Sequence, residues 1–206
     1  MTFSLPANVA PASPVTYEWL QVLMESQAQE TAALASAGAA ASGYLGWTVP
    51  VGQATSTASL TTTDIYVIAV YVPAAGTATY AEVNATTAGT VTAANTGLYS
   101  LAGAKLASAA LAQLTTNSGD AWGAGINTWA YVTPVALAAG VYYATIETTS
   151  SVAAVLSAAP ASAVINFNLP VNQYNNATYS TGTIPSSITV SGLSASVAAQ
   201  PWIGIR

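Results

Sequence analysis

Asp64 to Pro73 reads DIYVIAVYVP, and this stretch decides the fold. Ile65, Val67, Ala69 and Tyr71 alternate with Tyr66, Ile68, Val70 and Val72. A strand turns successive side chains to opposite faces. Both faces here are apolar, so the stretch predicts a strand covered on both sides. Pro73 closes it, because proline has no amide hydrogen to give to a ladder.

Outward from this strand the text stays β-like from Gly43 on. Thr, Val, Ile and Tyr dominate, and Gly, Pro and Asn punctuate at short intervals. Further strands are expected at Gly97–Leu101, with a turn at Ala102-Gly103, and then over 104–114. More are expected at Trp129–Thr133 (ended by Pro134), Val141–Thr148, Val164–Leu169, Ser187–Leu193 and Trp202–Arg206. The Ala-rich stretch 152–163 reads as a loop or short helix. Asn172 to Ser180, NQYNNATYS, reads as an exposed loop. At least seven short strands without recurring helices point to a mainly β chain, an antiparallel two-sheet sandwich.

The N-terminal end differs. Residues 1–16 hold Pro6, Pro11 and Pro14 and predict an extended arm. Residues 17–41 lack proline and are rich in helix formers, with Thr16 placed as an N-cap. Leu20, Met24, Gln27, Thr31 and Leu34 recur at spacings of four and three, and Tyr17, Trp19 and Leu23 accompany them. This predicts one α-helix in need of a partner, since an isolated helix of this length is marginal in water. Its partner is its own domain or a bundle with identical subunits; otherwise it frays. The expected organisation is arm 1–16, helix 17–41 and β-domain 44–206.

Composition narrows the function. The 206 residues include two basic and seven acidic side chains, a charged fraction of 4%, against a hydrophobic fraction of 52%. Ordinary domains carry about 25% charged residues. High hydrophobicity excludes disorder. The longest apolar run, 65–75, falls short of the roughly 20 residues that a spanning helix needs, so no membrane partner is expected. Lys105 and Arg206 alone cannot neutralise a phosphate backbone, so no nucleic-acid partner is expected. With no Cys and no His, thiolate and imidazole chemistry is absent from the chain. The N-terminus lacks the basic start and apolar core of a secretion signal.

The acids Glu18, Glu25, Glu30, Asp64, Glu82, Asp120 and Glu147 form no recognisable motif and read as surface or loop residues. A glycosidase would need two of them facing each other across a cleft. Asn117-Ser118-Gly119-Asp120 lacks the dense acids of a calcium loop and reads as a turn. No catalytic residue, metal or cofactor is implied. Trp122, Trp129, Tyr174 and Tyr179 lie in or near expected loops, where aromatic rings could stack on a host-surface glycan. The alternative is that they pack at core edges or subunit interfaces.

Three passages carry a resemblance: AANTGLYSLAGAKLASAA (93–110), WAYVTPVALAAGVYYATI (129–146) and QPWIGIR (200–206). In this order they resemble a jelly-roll-like β-sandwich of virion proteins from phages of actinobacteria, over residues 44–206. That family includes capsid decoration, head-fibre and minor tail proteins. The resemblance implies a virion component, of the head or of the tail. With the composition, the expectation is a non-enzymatic protein assembled in the host cytoplasm, on the capsid exterior in preference to the tail. Its expected partners are copies of itself, as a homotrimer, and the major capsid protein. The alternative is a minor tail or tail-fibre protein, partnered by tail proteins, that touches the host surface. Gly97 and Gly103 would then relieve turns, Leu137 and Tyr142 would seat in the core, Tyr143 would face outward, and Trp202, Ile203 and Ile205 would close one sheet.

Overall fold

The computed structural model describes residues 42–49, 54–60, 64–87, 89–90, 93–110, 114, 121–149, 155–159, 171–175, 183–189, 194–196 and 199–206. All of them belong to one compact unit, residues 35–206. The arm, the helix and its candidate contacts Tyr17, Trp19, Leu20, Leu23, Met24, Gln27, Thr31 and Leu34 lie outside the described residues. So do Tyr179, Val164–Leu169 and Asn117–Asp120.

The described chain is β throughout, with no helix among the described residues. Its strands are β1 (Gly46–Trp47), β2 (Ser56–Ser59), β3 (Asp64–Val72), β4 (Gly76–Ala85), β5 (Gly89–Thr90), β6 (Ala93–Tyr99), β7 (Lys105–Ala109) and β8 (Ala121–Trp122). They continue with β9 (Gly125–Leu137), β10 (Gly140–Thr149), β11 (Val155–Ala159), β12 (Val171–Asn175), β13 (Ser194–Ser196), β14 (Gln200–Pro201) and β15 (Ile203–Ile205). Every pairing is antiparallel. Thirteen strands join one ladder with the main path β14-β11-β4-β15-β1-β3-β10-β6-β7, and β5 and β8 pair separately. The ladder folds back on itself, since β7 lies against β9 without being paired to it.

β3 behaves as its sequence requires. Ile65 through Val70 are all buried, and the two faces feed different clusters. Tyr66, Ile68, Val70 and Val72 enter the main core with Val83, Leu98, Trp129, Ile146, Leu156, Ile203 and Ile205. Ile65, Val67 and Ala69 face a second cluster with Tyr99, Tyr143, Ile184 and Ile188. The second cluster corrects two expectations. Tyr143 does face away from Tyr142, but it is buried, because the segment 183–189 covers that side of β10. Gly97 lies inside β6 and not at a turn. A Cβ there would come within 3.0 Å of Ile184, Thr145 and Tyr99, so only glycine lets the covering segment approach. Gly103 does serve a turn. Its φ is +83°, and its amide donates to the Ser100 carbonyl at 2.9 Å.

Other boundaries differ from the sequence reading for tertiary reasons. β9 runs through Pro134 to Leu137. Ala78 pairs with Val135 and Tyr80 with Ala130, so Tyr131 to Pro134 bulge opposite Thr79. A bulge demands no ladder donor, and Pro134 sits there exposed. The Ala-rich stretch holds a strand, β11, because β2 on one edge and β14 and β4 on the other supply pairing that outweighs its weak β-propensity. Val171–Asn175 likewise pairs with β3 and β13 instead of looping out. Of the strand expected at Ser187–Leu193, Ser187 makes an isolated bridge to Ala104, and residues 190–193 lie outside the described residues; Ser194–Ser196 is a strand.

Trp129→Ala removes a fully buried indole from the main core and is expected to destabilise by about 3–5 kcal/mol. Val132→Ser, at a position 71% exposed, should stay within about 0.5 kcal/mol of the parent. Urea-unfolding midpoints compare the two. Equal small shifts would mean that Trp129 is not packed.

Candidate functional site

A polar constellation gathers around Glu82 of β4, with partners from β9 and from the residue after β15. On β4, Ala81, Val83 and Ala85 point into the core, so Tyr80, Glu82 and Asn84 point to the other face. Glu82 is only 2% exposed. A buried carboxylate needs partners, because removing a charge from water is costly. It has three. The Tyr44 hydroxyl donates to Oε2 at 2.5 Å, the Thr128 hydroxyl to Oε1 at 3.3 Å, and Arg206 Nη1 to Oε1 at 3.0 Å. The Arg206 guanidinium also stands 5.9 Å from the centre of the Tyr44 ring.

Backbone pairing places these groups. Gly204 lies opposite Glu82 on one side and Trp47 on the other. A Cβ on Gly204 would fall within 3.0 Å of the Tyr44 ring. The glycine therefore lets the tyrosine lie over the strand and reach the carboxylate. The Trp202 ring meets Tyr44 edge-on at 5.5 Å and packs with Val49, while Trp47 is tilted against Tyr44 at 6.0 Å. Arg206 exchanges backbone bonds with Tyr80, and its carbonyl also accepts from the Thr79 amide.

Burial, followed by the bond to Glu82, pushes the Tyr44 phenol well above its ordinary range. Burial does the same to Tyr131, with the Thr96 hydroxyl pulling partly back. Glu82 holds the Arg206 guanidinium charged through their hydrogen bond.

Chemically, this arrangement binds protein to protein. The Glu82 carboxylate already accepts from a phenol, an alcohol and a guanidinium, and those three groups come from three separate parts of the chain. The second described acid, Glu147, is also buried and accepts from Asn95 Nδ2 at 3.2 Å. Both acids were expected at the surface. They sit inside because each lies mid-strand on a face that other segments cover. Among the described residues no three metal-ligating side chains converge.

The expected aromatic surface is not assembled by the described residues. Trp129 is fully buried in the main core, so its ring offers no face to a sugar. Its place on the core face of β9 follows from strand alternation. Trp122 and Tyr174 have backbones in β8 and β12, and their side chains lie outside the described residues. Tyr80, at 38% exposure, is an exposed ring that sequence reading missed; it stands beside the Arg206 network. Only a fixed strand register could have singled it out.

No family model matches the chain, and no curated protein matches its sequence.

Glu82→Gln keeps the shape and removes the charge. It is expected to cost about 1–3 kcal/mol, because charge-assisted bonds in a buried site become neutral ones. Arg206→Ala should cost no more than about 1 kcal/mol, since that side chain is 52% exposed. Chemical denaturation of both variants checks the order. Alkali tests the phenols. The folded state holds the Tyr44 and Tyr131 protons to higher pH than the unfolded chain, whose tyrosines titrate near 10.0. The stability they contribute is therefore complete below pH 10 and declines as pH rises above it. Tyrosinate absorbance followed against pH should show a fraction that ionises only as the fold melts.

Proposed function

We propose that this protein is a non-enzymatic virion structural protein of a bacteriophage. It acts as a homotrimeric capsid decoration or minor capsid protein that stabilises the shell by contact area. One observation carries the reading: 4% of residues are charged, and both acids with described side chains are spent on internal hydrogen bonds. A surface of neutral polar and apolar groups offers little repulsion between copies. Ile126, Val132 and Leu101, exposed at 45%, 71% and 58%, add apolar area to it. The resemblance of residues 93–110, 129–146 and 200–206 to decoration and tail proteins supplies the virion context and the preference for a trimer.

The two-sheet, jelly-roll-like arrangement belongs to the same proposal. The antiparallel ladder and the approach of β7 to β9 support it. In this reading residues 1–41 bind the shell lattice or neighbouring subunits, and the β-domain is displayed outside. The rival reading, a tail protein that stacks aromatics on a host glycan, loses Trp129 from its candidate ring set.

Sedimentation of the purified chain should give three times the chain mass. Association through neutral surfaces should change little between low and high sodium chloride, since screening acts on charges. A monomer at working concentrations would sink the proposal. Removal of residues 1–41 should abolish attachment to particles, and electron microscopy of decorated shells would read the occupancy.

A further inference from the structure

Three buried hydroxyls of the main core have no hydrogen-bond partner among the described residues: Thr96 Oγ1, Thr148 Oγ1 and the Tyr131 hydroxyl. Their residues are 1%, 0% and 4% exposed. The strand register gathers them. On β6, Ala94 and Leu98 enter the main core, so Thr96 between them faces the same way. On β10, Ala144 and Ile146 enter it, so Thr148 does too. Thr96 stands opposite Ile146 and Thr148 opposite Ala94, which makes the two threonines diagonal neighbours on one face. Tyr131 comes from β9, which lies against β7, the strand paired with β6. Its ring belongs to the same core cluster. The Thr96 hydroxyl acts on the Tyr131 phenol closely enough to pull its titration partly back down, yet the two oxygens form no direct bond.

A hydroxyl that folding strips of water needs a new partner, or the bonds it made in the unfolded chain are forfeited. Two hydroxyls close together without a bond between them leave the separation that a bridging water spans. Internal waters typically make about three hydrogen bonds to groups otherwise unsatisfied. A hydroxyl both donates and accepts, and so does water, so three hydroxyls and one water can satisfy one another without any charge. Small neighbours flank the threonines. Ala109 of β7 stands opposite Thr96, and Ala94 of β6 stands opposite Thr148. Both side chains stop at Cβ. The nearby acid, Glu147, turns to the other face of β10 and accepts from Asn95, so a metal cation would find only neutral oxygens here. We propose that the main core holds one ordered internal water, bonded to Thr96 Oγ1, Thr148 Oγ1 and the Tyr131 hydroxyl. It fastens β9 to β6 and β10 at Tyr131, the first residue of the bulge where pairing with β4 lapses. The site is internal to one chain and stands whether or not copies associate.

A crystal structure of the full, unsubstituted chain tests this directly. The expected result is a water peak within hydrogen-bond distance of all three oxygens. A site without such a peak, a water that misses one of the three, or a direct Tyr131–Thr96 bond that leaves Thr148 alone overturns the proposal. Stability gives a second reading in solution. Thr96→Val, Thr148→Val and Tyr131→Phe each remove one hydroxyl with little change of shape. With the water in place, each variant unfolds at a lower urea concentration than the parent. The double variant of Thr148→Val and Tyr131→Phe then loses less than the two single losses added, because the first substitution already loosens the shared water. Midpoints equal to or above the parent's mean that the hydroxyls were unpaired, since an apolar isostere then relieves a burial cost. That outcome, or additive losses for Thr148 and Tyr131, overturns the bridge.

Discussion

One strand closes this fold. β15 contributes three residues, yet it bonds to β4 on one side and β1 on the other and sends Ile203 and Ile205 into the main core. Its arrival joins β1 and β3 to the β4–β9 and β4–β11 parts of the ladder, so both halves of the main path depend on it. The outer side of the same strand carries Gly204, and the Tyr44 ring that lies over this glycine completes the coordination of Glu82. Core packing and the buried carboxylate are therefore two faces of one short segment. Neither can form without the backbone register that the other also needs.

Glu82 shows how a chain this poor in charge handles the little it has. A lone carboxylate within a sheet would be strongly unfavourable. Here the three donors arrive from residue 44, from β9 and from the position after β15. The network thus ties together segments remote in sequence. Its contribution to net stability is modest beside that of an apolar replacement of similar shape. What it adds is selectivity of register, since a slip of one residue would turn Glu82 into the core and Ala81 out. Asn95 and Glu147 perform the analogous pairing between β6 and β10, where they stand directly opposite each other.

Much of the β-structure was legible because alternation survives in the text. β3 read true to within a residue or two, since apolar residues on both faces leave little other interpretation, and β10 did so because Val141 to Thr148, after Gly140, is rich in residues that favour strands. The strand at Trp202–Arg206 was legible because Ile203 and Ile205 alternate with Trp202, Gly204 and Arg206. What failed was everything decided by a partner. β11 is alanine-rich and β12 is polar; both become strands because an edge waits beside them. Pro134 stops a ladder only where a donor is needed, and the bulge at Tyr131–Pro134 removes the need. The acids failed most instructively. Glu82 and Glu147 carry no motif, and only knowledge of which face is covered shows that they are internal. Trp129 likewise falls beside an expected loop in sequence, yet the core face of β9 claims it.

The proposed role follows from the same scarcity. The two acids with described side chains lie on separate strands and are turned to internal bonding. With the described acids engaged, the surface left over is mostly hydroxyl, amide and hydrocarbon. Such a surface gains little from long-range attraction and loses little to salt, so contact must be won by area and by fit.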